Sequence, residues 1–263
     1  MSNFKDKSML ITGAALGLGY AVAIELASHG AWLSLVDFNE QALDEARRSI
    51  LEKFPQSRLI TFVADVSQEA KVKEFVDGTT EAFGRIDGFY NNAGIEGRQA
   101  PLAEYDMDTF KKVIDINLMG VYFGMRYVIP VMRRQGYGRI VNAASVGGIR
   151  GVLNQAPYVA SKHAVSGMTK NAALEYGRDG VITNAIAPGA ILTPMVAEAF
   201  REMNPSDPKA AEAGYAKANP SKRLGLPHEV AKLTAFLLSE ECSYVNGQTI
   251  AIDGGQSESY GNV

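Results

Sequence analysis

Cysteine is nearly absent: Cys242 is the one cysteine in 263 residues. An intrachain disulfide is excluded, and so is a cysteine-rich metal cluster. Histidine is almost as scarce. His29, His163 and His228 fall at no ligand-like spacing, so no metal is expected. No apolar run is long enough to span a bilayer, and the opening run from Met1 to Lys7 is polar, without the pattern of a signal peptide. The expectation is therefore a cytoplasmic chain with no membrane partner. Basic residues are not in excess either: 26 Lys and Arg stand against 29 Asp and Glu, a net charge of −3. That gives no electrostatic reason to expect nucleic acid. What remains is 46% hydrophobic and 21% charged residues, evenly mixed, a composition and length that suit one α/β domain spanning residues 1–263.

Short apolar runs alternate with helix-length segments. Strands are expected at 9–12, 32–36, 59–63, 88–90, 139–143, 181–187 and 249–252. Helices are expected at 20–28, 40–53, 68–83, 107–134 and 157–176, with Pro55 and Gly84 closing two of them. Seven apolar strands in this rhythm predict a parallel sheet covered on both faces, a doubly wound Rossmann-type fold. One segment breaks the rhythm. Residues 194–227 carry Pro194, Pro205, Pro208 and Pro220 among short helical pieces at 196–203 and 209–218. An insertion of this length between two strands reads as a lid over a binding cleft.

The loop Thr12-Gly13-Ala14-Ala15-Leu16-Gly17-Leu18-Gly19 joins the first strand to the first helix. Glycines there permit a tight turn and let a pyrophosphate reach the free N–H groups of the helix N-terminus. Asp37 closes the second strand, where a carboxylate accepts hydrogen bonds from ribose hydroxyls and repels a 2′-phosphate. No Lys or Arg lies at Ala14 to Leu16 or at Phe38 and Asn39, so NAD is preferred over NADP. Asp65-Val66, after the third strand, is placed to meet the adenine, although Asp65 equally suits a helix cap.

Tyr158 and Lys162 are one helical turn apart, so both side chains point the same way. A phenol keeps its proton until pH ~10. A neighbouring ammonium in a desolvated cleft would favour the phenolate and make Tyr158 an acid and base near neutrality. Pro157 directly before Tyr158 fits a helix start.

Taken together, these features resemble the short-chain dehydrogenase/reductase family over essentially the whole chain. The likeness lies in the glycine loop from Thr12 to Gly19, in Asn91-Asn92-Ala93-Gly94, in the set Asn117, Ser145, Tyr158 and Lys162, and in Pro188-Gly189 followed by Thr193. A narrower likeness, to reductases of cyclic diketones within the family, lies in Ile95-Glu96-Gly97, Ala144 to Gly151, Asn184 to Ile191, Asn219 to Arg223 and Ile252 to Ser257. The resemblance implies hydride transfer between NAD(H) and a ketone or secondary alcohol. Tyr158 would be the general acid/base, Lys162 would tune it and hold the nicotinamide ribose, Ser145 would bind the substrate oxygen, and Asn117 would hold a proton-relay water.

The same resemblance places the cofactor against Gly13, Leu16, Gly17, Leu18, Gly19, Asp37, Phe38, Asp65, Val66, Asn92, Ala93, Gly94, Pro188, Gly189, Ile191, Thr193 and Met195. Gly147, Leu153, Gln155 and Met195 are expected beside Ser145 and Tyr158 as substrate contacts, with Gln155 or Glu96 free for a second polar group. A compact, largely hydrophobic ketone is the expected substrate. The family further implies a homotetramer in which the small residues Ala160, Ala164 and Gly167 let another helix approach. The competing readings are a 3-oxoacyl-thioester reductase and a dinucleotide-binding redox sensor without catalysis.

Two departures from the family's habit stand out. Leu16 replaces a small polar residue, and Ile182-Thr183 stands where an arginine is common.

Overall fold

The computed structural model describes residues 3–259; Met1 and Ser2 of the polar opening run lie outside it. Seven strands form one sheet: β1 (Ser8–Thr12), β2 (Trp32–Asp37), β3 (Leu59–Val63), β4 (Gly88–Asn91), β5 (Gly138–Ala143), β6 (Val181–Pro188) and β7 (Thr249–Ile252). Every pairing is parallel and the order is β3-β2-β1-β4-β5-β6-β7. Parallel neighbours need long crossovers, and the helices supply them. They are α1 (Gly17–Ser28), α2 (Glu40–Lys53), α3 (Glu69–Phe83), α4 (Met107–Ile114), α5 (Gly120–Gln135), α6 (Ala156–Tyr176), α7 (Pro194–Met203), α8 (Pro208–Ala218) and α9 (Pro227–Leu238).

The sheet is buried on both faces because its strands are apolar throughout rather than alternately. In β1, Met9 and Ile11 point into one core with Val22 and Leu26 of α1 and Val230 of α9. Leu10, between them, points to the other core with Phe75 of α3 and Val128 of α5. Side chains alternate along a strand, so three consecutive residues serve two cores. All three are at most 1% exposed, and each such burial stabilises by about 1.5–3 kcal/mol. The edge strands β3 and β7 are only partly covered.

Three features differ from the sequence expectation. The helix expected at 107–134 is continuous but holds a wider π-turn at Asp115–Met119, between α4 and α5. Such turns recur at functional sites because they shift the side chains they carry, and this one carries Asn117. Helix α9 was not anticipated, although Pro227 at its first position and Glu229 in its first turn are helix-start signals. Helix α1 begins at Gly17, three residues earlier than expected, because the glycine loop runs directly into it.

The 194–227 excursion is a pair of packed helices, α7 and α8. Its two feet meet where Leu192 N–H donates to Gly225 O at 3.0 Å and Gly225 N–H donates to Ala190 O at 3.0 Å. Among the described residues no helix is long and apolar enough to cross a membrane.

Candidate active site

The strand order reverses between β1 and β4, and the loops leaving their C-terminal ends diverge there. This is where open parallel sheets place ligands. The glycine loop leaves β1, Asn92 to Gly94 leave β4, Ser145 follows β5, and Gly189 follows β6.

The glycine loop is shaped by steric necessity. Gly13 and Gly17 hold φ of +63° and +57°, a region that side chains disfavour. Gly19 has an ordinary backbone, but a Cβ there would lie 2.0 Å from Gly13 O, so helix and turn close only around a hydrogen. Neighbouring residues lock the loop. Thr12 Oγ1 accepts from Asn92 N–H at 2.9 Å and Ala93 N–H at 3.1 Å, while Asn92 Nδ2 donates to Thr12 O at 3.0 Å and Gly13 O at 3.2 Å. The roles of Thr12 and Asn92 in this lock were not legible in the sequence, because it joins residues 80 positions apart.

At the start of α1, Leu16 supplies no side-chain cap, and the first turn holds no acidic residue. Its N–H groups therefore keep their affinity for an anion. Leu16 itself is 56% exposed. Asp37 Oδ2 accepts from Ala15 N–H at 3.0 Å and Oδ1 from Asn39 N–H at 3.1 Å, which fixes the carboxylate at the strand end. Phe38 stands beside it, exposed. The uncapped helix start, the glycine cradle with no room for a Cβ at Gly13 and Gly19 and the fixed carboxylate fit the pyrophosphate and ribose of a dinucleotide.

Other expected cofactor residues divide. Asp65 caps its own turn, accepting from Ser67 N–H at 2.9 Å and Ser67 Oγ at 2.7 Å. Val66 turns into the core beneath Gly120, so only its backbone is free for a ligand. Ile191 is likewise buried, against Gly225. Thr193 caps α7, and a Cβ on Gly17 would lie 3.6 Å from the Thr193 side chain, so the start of α7 rests on the glycine loop. Met195, two residues on, is partly exposed. Gly189 owes its identity to the C-terminal segment: a Cβ would strike Asp253 Cα at 2.9 Å and Gln256 Oε1 at 2.7 Å.

Helix α6 carries the tyrosine and lysine, and a buried polar chain holds it in place. Asn91 Nδ2 donates to Asn142 Oδ1 at 3.2 Å, and Asn142 Nδ2 donates to Thr169 Oγ1 at 3.0 Å. Tyr158 lies in the first turn of α6. Its ring lies against Gly147, where a Cβ would sit 3.3 Å from the ring edge. Ser145 borders the same glycine: its Oγ accepts from Gly147 N–H at 3.1 Å, and its nearness lowers the pKa of Tyr158 slightly. Asn117, on the π-turn, makes a reciprocal pair with Ile95: its Oδ1 accepts from Ile95 N–H and its Nδ2 donates to Ile95 O, both at 2.8 Å. Between them lies Gly94, where a Cβ would sit 3.1 Å from Asn117 Oδ1 and 3.4 Å from Lys162 Nζ. The structure thus gathers Asn117, Ser145, Tyr158, Lys162, Gly94 and Gly147.

The electrostatics differ from the expectation. Lys162 Nζ donates to Ala143 O at 2.7 Å and sits 5.6 Å from the Tyr158 ring centroid. Burial pushes its pKa down to about 8. Burial also pushes Tyr158 up to about 12, only partly offset by the nearness of Ser145. In this conformation desolvation, which favours the neutral form of both groups, outweighs any help from the ammonium.

Among the expected substrate residues, Gln155 pairs with the carboxylate of Glu96. Burial, and then the charge of Glu202 on α7, raise the Glu96 pKa to about 7. Leu153 is 85% exposed and stands out from this cluster.

Comparison with known proteins agrees with this geometry. Residues 13–257 match a family model described as enoyl-(acyl carrier protein) reductase. Levodione reductase of Leifsonia aquatica is 51% identical over 259 residues, covering 98% of this chain and 97% of its own. A crystal structure of levodione reductase superposes with a TM-score of 0.97 at 52% identity, covering 98% of this chain and 100% of that one. Cyclohexanol dehydrogenase of Acinetobacter sp. (strain SE19) is 37% identical, covering 97% of this chain and 96% of its own. The structure of NAD+-bound xylitol dehydrogenase gives a TM-score of 0.92 at 35% identity, covering 96% of this chain and 99% of that one. A chain that combines this switch-point cleft with end-to-end relatives of these kinds belongs to the short-chain dehydrogenase/reductase family, oxidoreductases that act on CH–OH groups.

Proposed function

We propose that the protein interconverts a compact cyclic ketone or diketone and its secondary alcohol with NAD(H). The observation that carries the reading is the gathering of Tyr158 with buried Ser145 and Lys162 beside the cradle that fits a dinucleotide. The relatives named for levodione and cyclohexanol support a cyclic substrate.

When bound, the nicotinamide supplies or accepts hydride at its ring C4. In reduction, the Tyr158 hydroxyl gives its proton to the substrate oxygen as charge develops there. Ser145 Oγ hydrogen-bonds the same oxygen, oriented by Gly147 N–H. Lys162, still mostly protonated at pH 7, moves from Ala143 O toward the ribose and the phenol, and so steadies the phenolate. Asn117 acts as a positioning residue, because both ends of its amide are committed to holding Ile95, and with it Gly94, next to Lys162. Residues 194–227 serve as the lid, and Gln155 with Glu96 is available to a second substrate oxygen. The open helix face at Ala160 and Gly167, where a Cβ on Gly167 meets nothing within 4 Å, suits the homotetramer expected of the family.

A 3-oxoacyl thioester on a carrier needs cations for its phosphate. Arg150 is committed to Gln256 O, and Arg223 is committed to both oxygens of Glu229. That commitment favours the neutral ketone.

The test is NADH oxidation followed at 340 nm against cyclic diketones, cyclohexanones, diacetyl and acetoacetyl thioesters, with NADPH in parallel. Turnover of the cyclic ketones with NADH is expected; turnover confined to acetoacetyl thioesters with NADPH would overturn the reading.

Asp37 is expected to set the cofactor preference. Asp37→Asn keeps a hydrogen-bonding group beside Ala15 N–H and removes the charge that repels a 2′-phosphate. The ratio of kcat/KM for NADH over NADPH should fall by at least about tenfold. An unchanged ratio would remove Asp37 from the selection.

A further inference from the structure

Gln256 lies outside every expected site residue, yet it touches three parts of the cleft. The residue is 8% exposed. Its Nε2 donates to the hydroxyl of Tyr215 on α8. Its carbonyl oxygen accepts from Arg150 Nη1 at 2.8 Å. Arg150 N–H in turn donates to Val146 O at 3.0 Å, directly after Ser145. The Gln256 Oε1 lies beside Gly189 at the end of β6, where a Cβ would leave it no room.

Both ends of this connection are firmly held. Asp253 accepts from Gly255 N–H at 2.9 Å and Ser257 N–H at 2.7 Å, which fixes the turn carrying Gln256. Asn219, at the end of α8, donates to Asp253 O at 2.8 Å. On the other side, the Tyr215 ring packs edge-on against buried Phe200 of α7, centroids 5.7 Å apart. The α7–α8 pair is thereby connected to the Ser145 loop through Tyr215, Gln256 and Arg150. Arg150 Nε and Gln256 Oε1 are buried without a hydrogen-bond partner in this conformation.

We propose that Gln256 is a positioning residue that couples closure of residues 194–227 to the loop carrying Ser145, with its bond to Tyr215 as the releasable contact. The proposal rests on the reading of that segment as a substrate lid. The bond resists opening of the closed lid and takes no part in proton transfer.

The test uses Tyr215→Phe, which deletes one oxygen and keeps the packing on Phe200, and Gln256→Met, which keeps the length and removes the amide. Each is expected to raise KM for the ketone about fivefold, the effect of one neutral hydrogen bond, without lowering kcat or changing the affinity for NADH. Amide exchange across residues 208–218 should quicken by a similar factor, while that of α3 stays unchanged. The double variant should be no worse than either single one, since both remove the same bond.

Additive effects on KM, or an unchanged KM, would overturn the coupling. Faster exchange with KM unaltered would reduce the contact to a structural one and overturn it equally. Amide exchange needs no turnover. If the wild-type protein reduces no ketone, the functional reading fails while the exchange data still decide whether the bond holds α8.

Discussion

Tyr158→Phe is expected to lower turnover by about 10²–10⁴-fold, the range contributed by a positioned general acid, with NADH affinity nearly unchanged. The phenylalanine ring keeps the contact with Gly147 and loses only the hydroxyl. The pH dependence of the wild-type protein should carry the same signature. Reduction needs protonated Tyr158, so its log kcat/KM should stay level at low pH and fall above the pKa of the loaded protein. Lys162 beside the phenol holds that pKa below the value of about 12 in this conformation. Oxidation needs the phenolate, so its log kcat/KM should climb with a slope of +1 until the pKa of the loaded protein is reached. Stopped-flow absorbance in both directions reads these profiles. Retained turnover in Tyr158→Phe, or a level oxidation profile, would remove the tyrosine from proton transfer.

Lys162→Met is expected to cost activity and to gain stability. The folded protein holds this lysine at about 8 rather than 10.5 because burial strips its water and its one hydrogen-bond partner here is a neutral carbonyl. A depression of that size corresponds to about 3 kcal/mol against the charged form. The lost bond to Ala143 O returns about 1 kcal/mol of that. A net gain of about 2 kcal/mol raises Tm by roughly 4–8 °C in a chain of this size.

The sign follows from proton counting. Below pH 8 the lysine is protonated both folded and unfolded, so the penalty is present in full and carries no pH slope. Between 8 and 10.5 the unfolded chain holds the extra proton, so wild-type stability rises with pH and the advantage of the methionine fades. Calorimetry at pH 7 and pH 10 would measure this; a destabilised Lys162→Met at pH 7 would show that the ammonium is paired rather than stranded. The residue therefore sits where stability and activity oppose each other, as buried functional charges do.

The sheet was legible because its signal is local. Seven apolar runs of strand length, separated by helix-length segments, needed no knowledge of distant contacts, and their boundaries held to within a residue or so. The glycine loop was legible for the same reason, since its geometry is set by consecutive residues. Less local features escaped. The π-turn at Asn117 leaves no mark in a helical pattern, and α9 was obscured by the proline-rich stretch before it. Glycines identified by motif had reasons the motif does not state: Gly189 makes way for Gln256 and Asp253, and Gly94 for Asn117 and Lys162.

The sequence by itself determined the doubly wound sheet, the cradle after β1, the carboxylate at the end of β2, and the placing of Tyr158 and Lys162 on one face of one helix. Each of these depends on spacing within a few residues. Tertiary structure alone decided the protonation balance of that pair, the commitment of both ends of the Asn117 amide to Ile95, the Glu96–Gln155 contact, and the link from α8 through Gln256 to the Ser145 loop. Those depend on how much water is excluded and on which distant groups meet. Desolvation and partnering are properties of the packed chain, and neighbouring letters do not encode them.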